Sequence, residues 1–230
     1  MALRINLKNT DLPALYQAAD NASNQVQKQL MSLSAANSVV LISGSITALL
    51  RSNSQCLAII SAILFLVSLA ITIHIKVANL QGNWYQSRAL AESIKTSVWR
   101  LLMGADPYSD ISKSKNLEKF QHLLKELLFE NKHITKVLSD PINDSEQLTK
   151  VMLETIDASF EEKRELYLKD RIDNQRHWYS TKSGQNRKSS RNWFIGLVLV
   201  YALTILMLLI QIAKPELTLL TIDVGAVIAR

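Results

Sequence analysis

The chain has 230 residues, 48% of them hydrophobic and 20% charged, and its mean hydropathy of +0.07 would suit an ordinary soluble domain. A single cysteine, Cys56, excludes a disulfide framework and a cysteine-rich metal motif. The net charge of +6 admits either membrane orientation or nucleic-acid contact, and the distribution of apolar residues decides between them.

Residues 1–33 are polar and amphipathic, with Arg4, Lys8, Asp11, Asp20 and Lys28, and adjoin no cleavable apolar core. This stretch reads as an N-terminal cytoplasmic amphipathic helix and not as a signal peptide. Apolar runs follow at 34–50, 56–75 and 193–213, with a shorter one at 217–229, all nearly free of charge. Six Gly and four Pro in the whole chain predict helix nearly everywhere. The first run has 17 residues and is weakened by Asn37 and several serines. The second is interrupted by Ser61, Ser68, Thr72 and His74, which can satisfy themselves on the preceding turn or near the interface. A short polar link from Arg51 to Gln55 makes the two a transmembrane helical hairpin, residues 34–76. Small residues, among them Ala36, Ser43, Gly44 and Ala48, would let the backbones approach closely. Gly44 is also the intramembrane position where self-association is expected to be most sensitive.

The second membrane helix is expected to continue unbroken past Val77 and to stop near Gly104, where Gly104-Ala105-Asp106-Pro107 supplies a C-cap and a breaker. A further helix is predicted over 115–139, with Leu117, Phe120, Leu124, Leu127 and Leu128 on one stripe. A third, opened by a capping box of Asp144 and Gln147, is predicted from 145 to about 181 and carries Leu148, Met152, Ile156, Phe160, Tyr167 and Trp178. Residues 77–192 thus form a helical bundle.

The run 193–213 is 21 residues without a charge, enough at about 1.5 Å per residue to cross about 30 Å of hydrocarbon, with Trp193 at the belt position. Residues 217–229 are too few to span, so the C-terminal region 193–230 holds an incomplete second hairpin, and Asp223 within it is an intramembrane candidate. Residues 77–192 hold 19 Lys and Arg against 16 Asp and Glu, with Arg187, Lys188 and Arg191 beside Trp193, whereas the hairpin link offers only Arg51. The positive-inside rule places the central region in the cytoplasm of a multi-pass membrane protein. Lipid headgroups, not nucleic acid, are then the partner of the basic charge.

No catalytic signature is visible. His74, His122, His133 and His177 are scattered, and no Gly-rich phosphate loop, G-x-S-x-G or H-E-x-x-H occurs, so neither enzyme activity nor a metal or cofactor is expected. Two clusters exceed the needs of packing. The first is Trp84-Tyr85-x-x-Arg88-x-x-Ala91-Glu92-x-x-Lys95-x-x-x-Trp99, in which Arg88 and Glu92 can pair at i,i+4. The second is Tyr167-x-x-x-Arg171-x-x-x-Gln175-x-x-Trp178. Each places Arg, an acid or amide, and aromatics on successive helix turns, the pattern of a clamp that couples membrane helix to bundle.

This order of parts resembles the SLATT family of bacterial membrane proteins: a helical hairpin, the W-Y-x-x-R-x-x-A-E-x-x-K helix, then the Y-x-x-x-R-x-x-x-Q helix leading into another hairpin. The likeness covers nearly the whole chain. It implies an all-α integral membrane effector of nucleotide-second-messenger conflict systems in antiviral defence, one that forms a homo-oligomeric pore or otherwise compromises the inner membrane when a signalling-system protein partner detects infection. In that family a second hairpin is completed and followed by another helix at the place where this sequence ends. The alternative is a membrane-anchored sensor or scaffold whose cytoplasmic bundle binds a protein partner.

Overall fold

A computed structural model of the chain describes residues 7–49, 55–132 and 146–213. The described residues are helical with no strand. A 3-10 turn at Asn9–Asp11 leads into α1 (Ala14–Leu49), followed by α2 (Gln55–Val77), α3 (Leu80–Met103), α4 (Lys113–Glu130), α5 (Lys150–Asp157), α6 (Phe160–Leu166), a π-helical segment (Tyr167–Asp173) and α7 (Asn174–Ala213). Two compact units result: Met1–Ser32 with Ile75–Arg176, and Leu33–His74 with His177–Arg230.

The first unit is a helical bundle. Its core takes Leu15, Ala19 and Ala22 from α1, Leu90, Ile94, Val98 and Leu102 from α3, Phe120 and Leu124 from α4, Met152 from α5 and Leu166 from α6. The spacing is four then three on α1 and four throughout on α3, which keeps one face turned inward at about 3.6 residues per turn. Tyr108, in the loop after α3, is buried edge-on against Phe120 with ring centroids 6.1 Å apart. The start of α1 leaves backbone N–H groups without intrahelical partners. Glu146 O accepts from Ala14 N at 3.3 Å and Gln147 Oε1 accepts from Leu15 N at 3.2 Å. Thr149 closes the junction, its hydroxyl donating to Asp11 O at 2.6 Å while accepting from Met152 N at 3.3 Å, so it joins the turn before α1 to the N-terminus of α5.

In the second unit α1 and α2 form a hairpin with an almost wholly apolar outer surface. Val39, Ile42, Ile59, Leu66, Leu69 and Ile73 are each more than half exposed. So extensive an apolar surface is unfavourable in water and favourable in hydrocarbon. Two described helices, Ala14–Ala48 and Gln55–Met103 with its turn at 78–79, contain stretches long and apolar enough to cross a membrane. Between the hairpin helices, Ser68 Oγ donates to Asn37 Oδ1 at 2.7 Å and Asn37 Nδ2 donates to Thr72 Oγ1 at 3.3 Å. Asn37, which weakens the first apolar run as a sequence, is therefore the polar clamp of the hairpin. Ser61 and Thr72 bond to carbonyls of their own preceding turns, those of Ala58 and Ser68.

The expected boundaries need correction at several places. The helix expected to pass unbroken from membrane to bundle turns at Ala78 and Asn79, with Asn79 left-handed at φ 48°, ψ 40°. Asn is one of the few residues besides Gly that reaches this region readily. The helix predicted from 145 to 181 breaks at Ala158 and Ser159, where Ser159 and Glu162 form a reciprocal capping box. From Phe160 the chain then stays helical to Ala213, well past 181. The expected stop at Gly104 is where α3 ends: Gly104 is left-handed at φ 62°, with Gly104 N donating to Leu101 O and Ala105 N to Arg100 O, the paired bonds of a Schellman cap. The helix predicted over 115–139 ends at Glu130, where the backbone and side-chain N–H groups of Asn131 both donate to Leu127 O and close its last turn. The helix predicted to open at 145 opens at Lys150, capped by the Thr149 hydroxyl. The predicted Asp144 cap lies outside the described residues, as do Asp223 and 217–229.

Candidate functional site

The two sequence clusters meet inside the bundle. On α3, Arg88 lies one turn before Glu92, and its Nη2 reaches Glu92 Oε1 at 2.6 Å. The same guanidinium reaches across to α1, where Nη1 donates to Asp20 Oδ1 at 2.9 Å. Lys95, a turn further along, donates to Asn9 Oδ1 at 3.1 Å and stands 5.7 Å from the centre of the Tyr16 ring. Trp99, a turn beyond, meets Tyr167 of the second cluster edge-on at 5.7 Å. A ladder of one turn per rung thus binds α3 to the N-terminal segment and then to the π segment. Asn9, Tyr16 and Asp20 belong to it although nothing in the sequence patterns named them. The available signal was the buried 3-4 spacing of Leu12, Leu15, Ala19 and Ala22, which announces that this helix packs and does not merely lie on a surface.

Other members of the clusters lie elsewhere. Trp84 stacks on its neighbour Tyr85 with centroids 4.8 Å apart. Arg171 sits in the π segment with Nη1 buried and unpartnered, and Gln175 is half-buried. Trp178 makes an edge contact with Tyr179 on α7, where both rings are largely exposed. Phe160 is 74% exposed, contrary to its assignment to a packing stripe, because the break at Ser159 re-phases the helix. Gly44 faces its own hairpin: a Cβ there would lie 3.3 Å from Leu64 Cβ.

Because Arg88 and Glu92 are 46% and 43% exposed, each ion pair is worth about 0.2–1 kcal/mol. Arg88→Ala is expected to cost about 1 kcal/mol in total, and a double-mutant cycle with Asp20→Ala to show coupling of about 0.5 kcal/mol or more. Additive losses in chemical denaturation would mean that the α1 to α3 bridge has no energetic existence.

The capping box governs how the second cluster begins. Ser159 N and its hydroxyl both bond Glu162 Oε2, at 3.0 and 2.9 Å, and these bonds hold the Glu162 carboxyl below the ordinary glutamate value. A carboxyl whose pKa is depressed on folding contributes stability above its unfolded pKa and loses it as pH falls through the folded value. Amide exchange at the start of α6 is therefore expected to accelerate as pH drops below about 4.5, after correction for intrinsic rates. Glu162→Gln should flatten that dependence, and an unchanged profile would mean that the box contributes nothing to the start of α6. One turn on, Lys163 donates to Ile156 O at 2.7 Å, and burial draws its ammonium below the ordinary lysine value, with Asp157 opposing the shift and Lys113 adding to it.

Among the described residues no group of three His, Cys, Asp or Glu could hold a metal. An all-α chain with an apolar hairpin joined to a bundle defines the class, a helical membrane protein. Family comparison then specifies it. Residues 13–164 match the SMODS and SLOG-associating 2TM effector domain 3, and residues 167–230 match domain 1 of the same series. The chain belongs to this SLATT family of membrane effectors of conflict systems. No curated protein and no solved structure matches it.

Proposed function

We propose that the protein is a non-enzymatic effector that self-associates in the bacterial inner membrane and breaches it when its conflict system is activated. The observation that supports this most directly is the state of α7. Every side chain from Arg176 to Leu199 is exposed. Lipid accounts for the apolar part from Trp193, but not for 176–192, where Trp178 and Tyr179 stand 46% and 64% exposed. Isolated helices in water are marginal, so such a segment calls for neighbours, and further copies of the same helix provide them. The hairpin and one more span are also too few to enclose a water-filled path alone, whereas several copies suffice. The polar groups of Asn37, Ser68 and Thr72 would add hydrogen-bonding groups to the hairpin helices that border such a path.

Purified protein in liposomes tests the reading. Dye release is expected to rise more steeply than linearly with protein-to-lipid ratio, accompanied by a crosslinking ladder above the dimer. Release from a strictly monomeric protein would overturn the assembly model, and assembly without release under any ratio would leave the anchored scaffold as the function. The proposed orientation, with the bundle in the cytoplasm, rests on Arg187, Lys188 and Arg191 beside Trp193. In a Cys56→Ser background, Ser54→Cys should react with an impermeant thiol reagent from outside the cell and Ser183→Cys should not; the opposite pattern would invert the topology.

A further inference from the structure

We propose that the groove between α3 and the segment formed by α6 and the π turn binds an organic phosphate carrying a planar ring, a mononucleotide being the simplest member of that class. The groove has a volume of about 400 Å³, within the range of small-ligand sites. Four cations line it, Arg100 from α3 and Lys163, Arg164 and Arg171 from the facing segment, and no Asp or Glu does. Among the described residues none of the three arginines forms an ion pair. Three arginines gathered without an ion-pair partner repel one another and Lys163, and a bound anion reverses the sign of that interaction. Arginine forks match phosphate oxygens in geometry as well as charge.

Two unsatisfied donors point to the same site independently. Trp99 is 5% exposed, and its Nε1 is buried without an acceptor; Arg171 Nη1 is buried and unpartnered as well. Native proteins seldom keep such donors unpaired, and both belong to residues that line this one groove. Acceptor oxygens of a ligand would satisfy them together once the side chains that cover them shift aside. The remaining lining is flat and apolar: the Tyr167 ring, the largely exposed Phe160 ring and the Met103 side chain offer surfaces on which a planar ring can stack. Inorganic phosphate or a lipid headgroup would use the cations and leave that lining unused. The site stands apart from the effector reading, because its ligand is measured without any membrane assay.

Titration calorimetry on the full chain in a non-ionic detergent tests it, with ADP, ribose 5-phosphate and glycerol 3-phosphate as probes. ADP is expected to bind, and the two phosphates that lack a planar base to bind at least about tenfold more weakly, since they forgo stacking. Arg171→Ala and the exposed Arg164→Gln should each weaken ADP by about tenfold or more. Trp99→Phe keeps an aromatic ring but deletes the donor, so it should weaken ADP without lowering the melting temperature of the ligand-free protein. No ADP binding, ADP affinity unchanged in Arg164→Gln, or equal affinity for glycerol 3-phosphate would each overturn the proposal. If Arg171→Ala fails to fold, Arg164→Gln alone decides whether the arginines hold the phosphate.

Discussion

Phe120→Ala is expected to destabilise the bundle by about 3–5 kcal/mol, the range for deleting a fully enclosed aromatic ring. Phe120 has no exposed surface, lies on α4, and meets the equally enclosed Tyr108 edge-on. Alanine removes the ring's apolar area and its edge contact, and the helices around it cannot close the gap without moving Leu124 and Met152, which are themselves buried. Because domains are stable by only about 5–15 kcal/mol, this one change removes a large share of the total. Chemical denaturation followed by the fluorescence of Trp99, which is buried in the same core, reads the loss. Phe129→Ala on the same helix is the control, since that ring is 71% exposed and its removal should stay within about 0.5–1 kcal/mol. Equal losses at the two positions would mean that α4 does not present this face to the bundle.

Gly44→Leu is expected to destabilise the hairpin by about 1–3 kcal/mol through overpacking. The Cβ alone would stand 3.3 Å from Leu64 Cβ and 3.5 Å from the Phe65 ring. The rest of the leucine side chain has no room unless α1 and α2 separate. Separation stretches the 2.7 Å bond between Ser68 and Asn37, so packing and polar clamp fail together. Gly44→Ala should be milder, because neighbouring side chains need yield by only a few tenths of an ångström. Detergent unfolding reported by energy transfer between dyes on the two hairpin helices measures the effect. This geometry redirects the expectation that Gly44 governs self-association: any loss of oligomers in Gly44→Leu should follow loss of the hairpin. Oligomers abolished with the hairpin midpoint unchanged would show instead that Gly44 faces another copy.

The hairpin was legible because the apolar runs 34–50 and 56–75 are contiguous, and the end of α3 was legible because Gly104 followed by Pro107 is local punctuation. The turn at Asn79 was not, since neither Gly nor Pro marks it and its neighbours Val77 and Leu80 continue an apolar pattern. The break before α6 was written as Ser159-x-x-Glu162, but Met152, Ile156, Phe160 and Tyr167 keep a helical spacing straight through it. Periodicity therefore concealed a capping box. Of the two clusters, the Arg88 and Glu92 pair follows from spacing on one helix, whereas the meeting of Trp99 with Tyr167 does not.

What the sequence determined by itself is the helical membrane class and the family. Crossing hydrocarbon demands about 20 consecutive apolar residues with every backbone group bonded within its own helix, and both are properties of a contiguous stretch. What only the tertiary structure decided is which side chains share a place: Asp20 with Arg88, Asn37 with Ser68, and four cations with Trp99 and Tyr167 in one groove. Each depends on how far a helix is rotated about its axis, and that rotation is fixed by the packing of all the bundle helices at once, which no single stretch of sequence encodes.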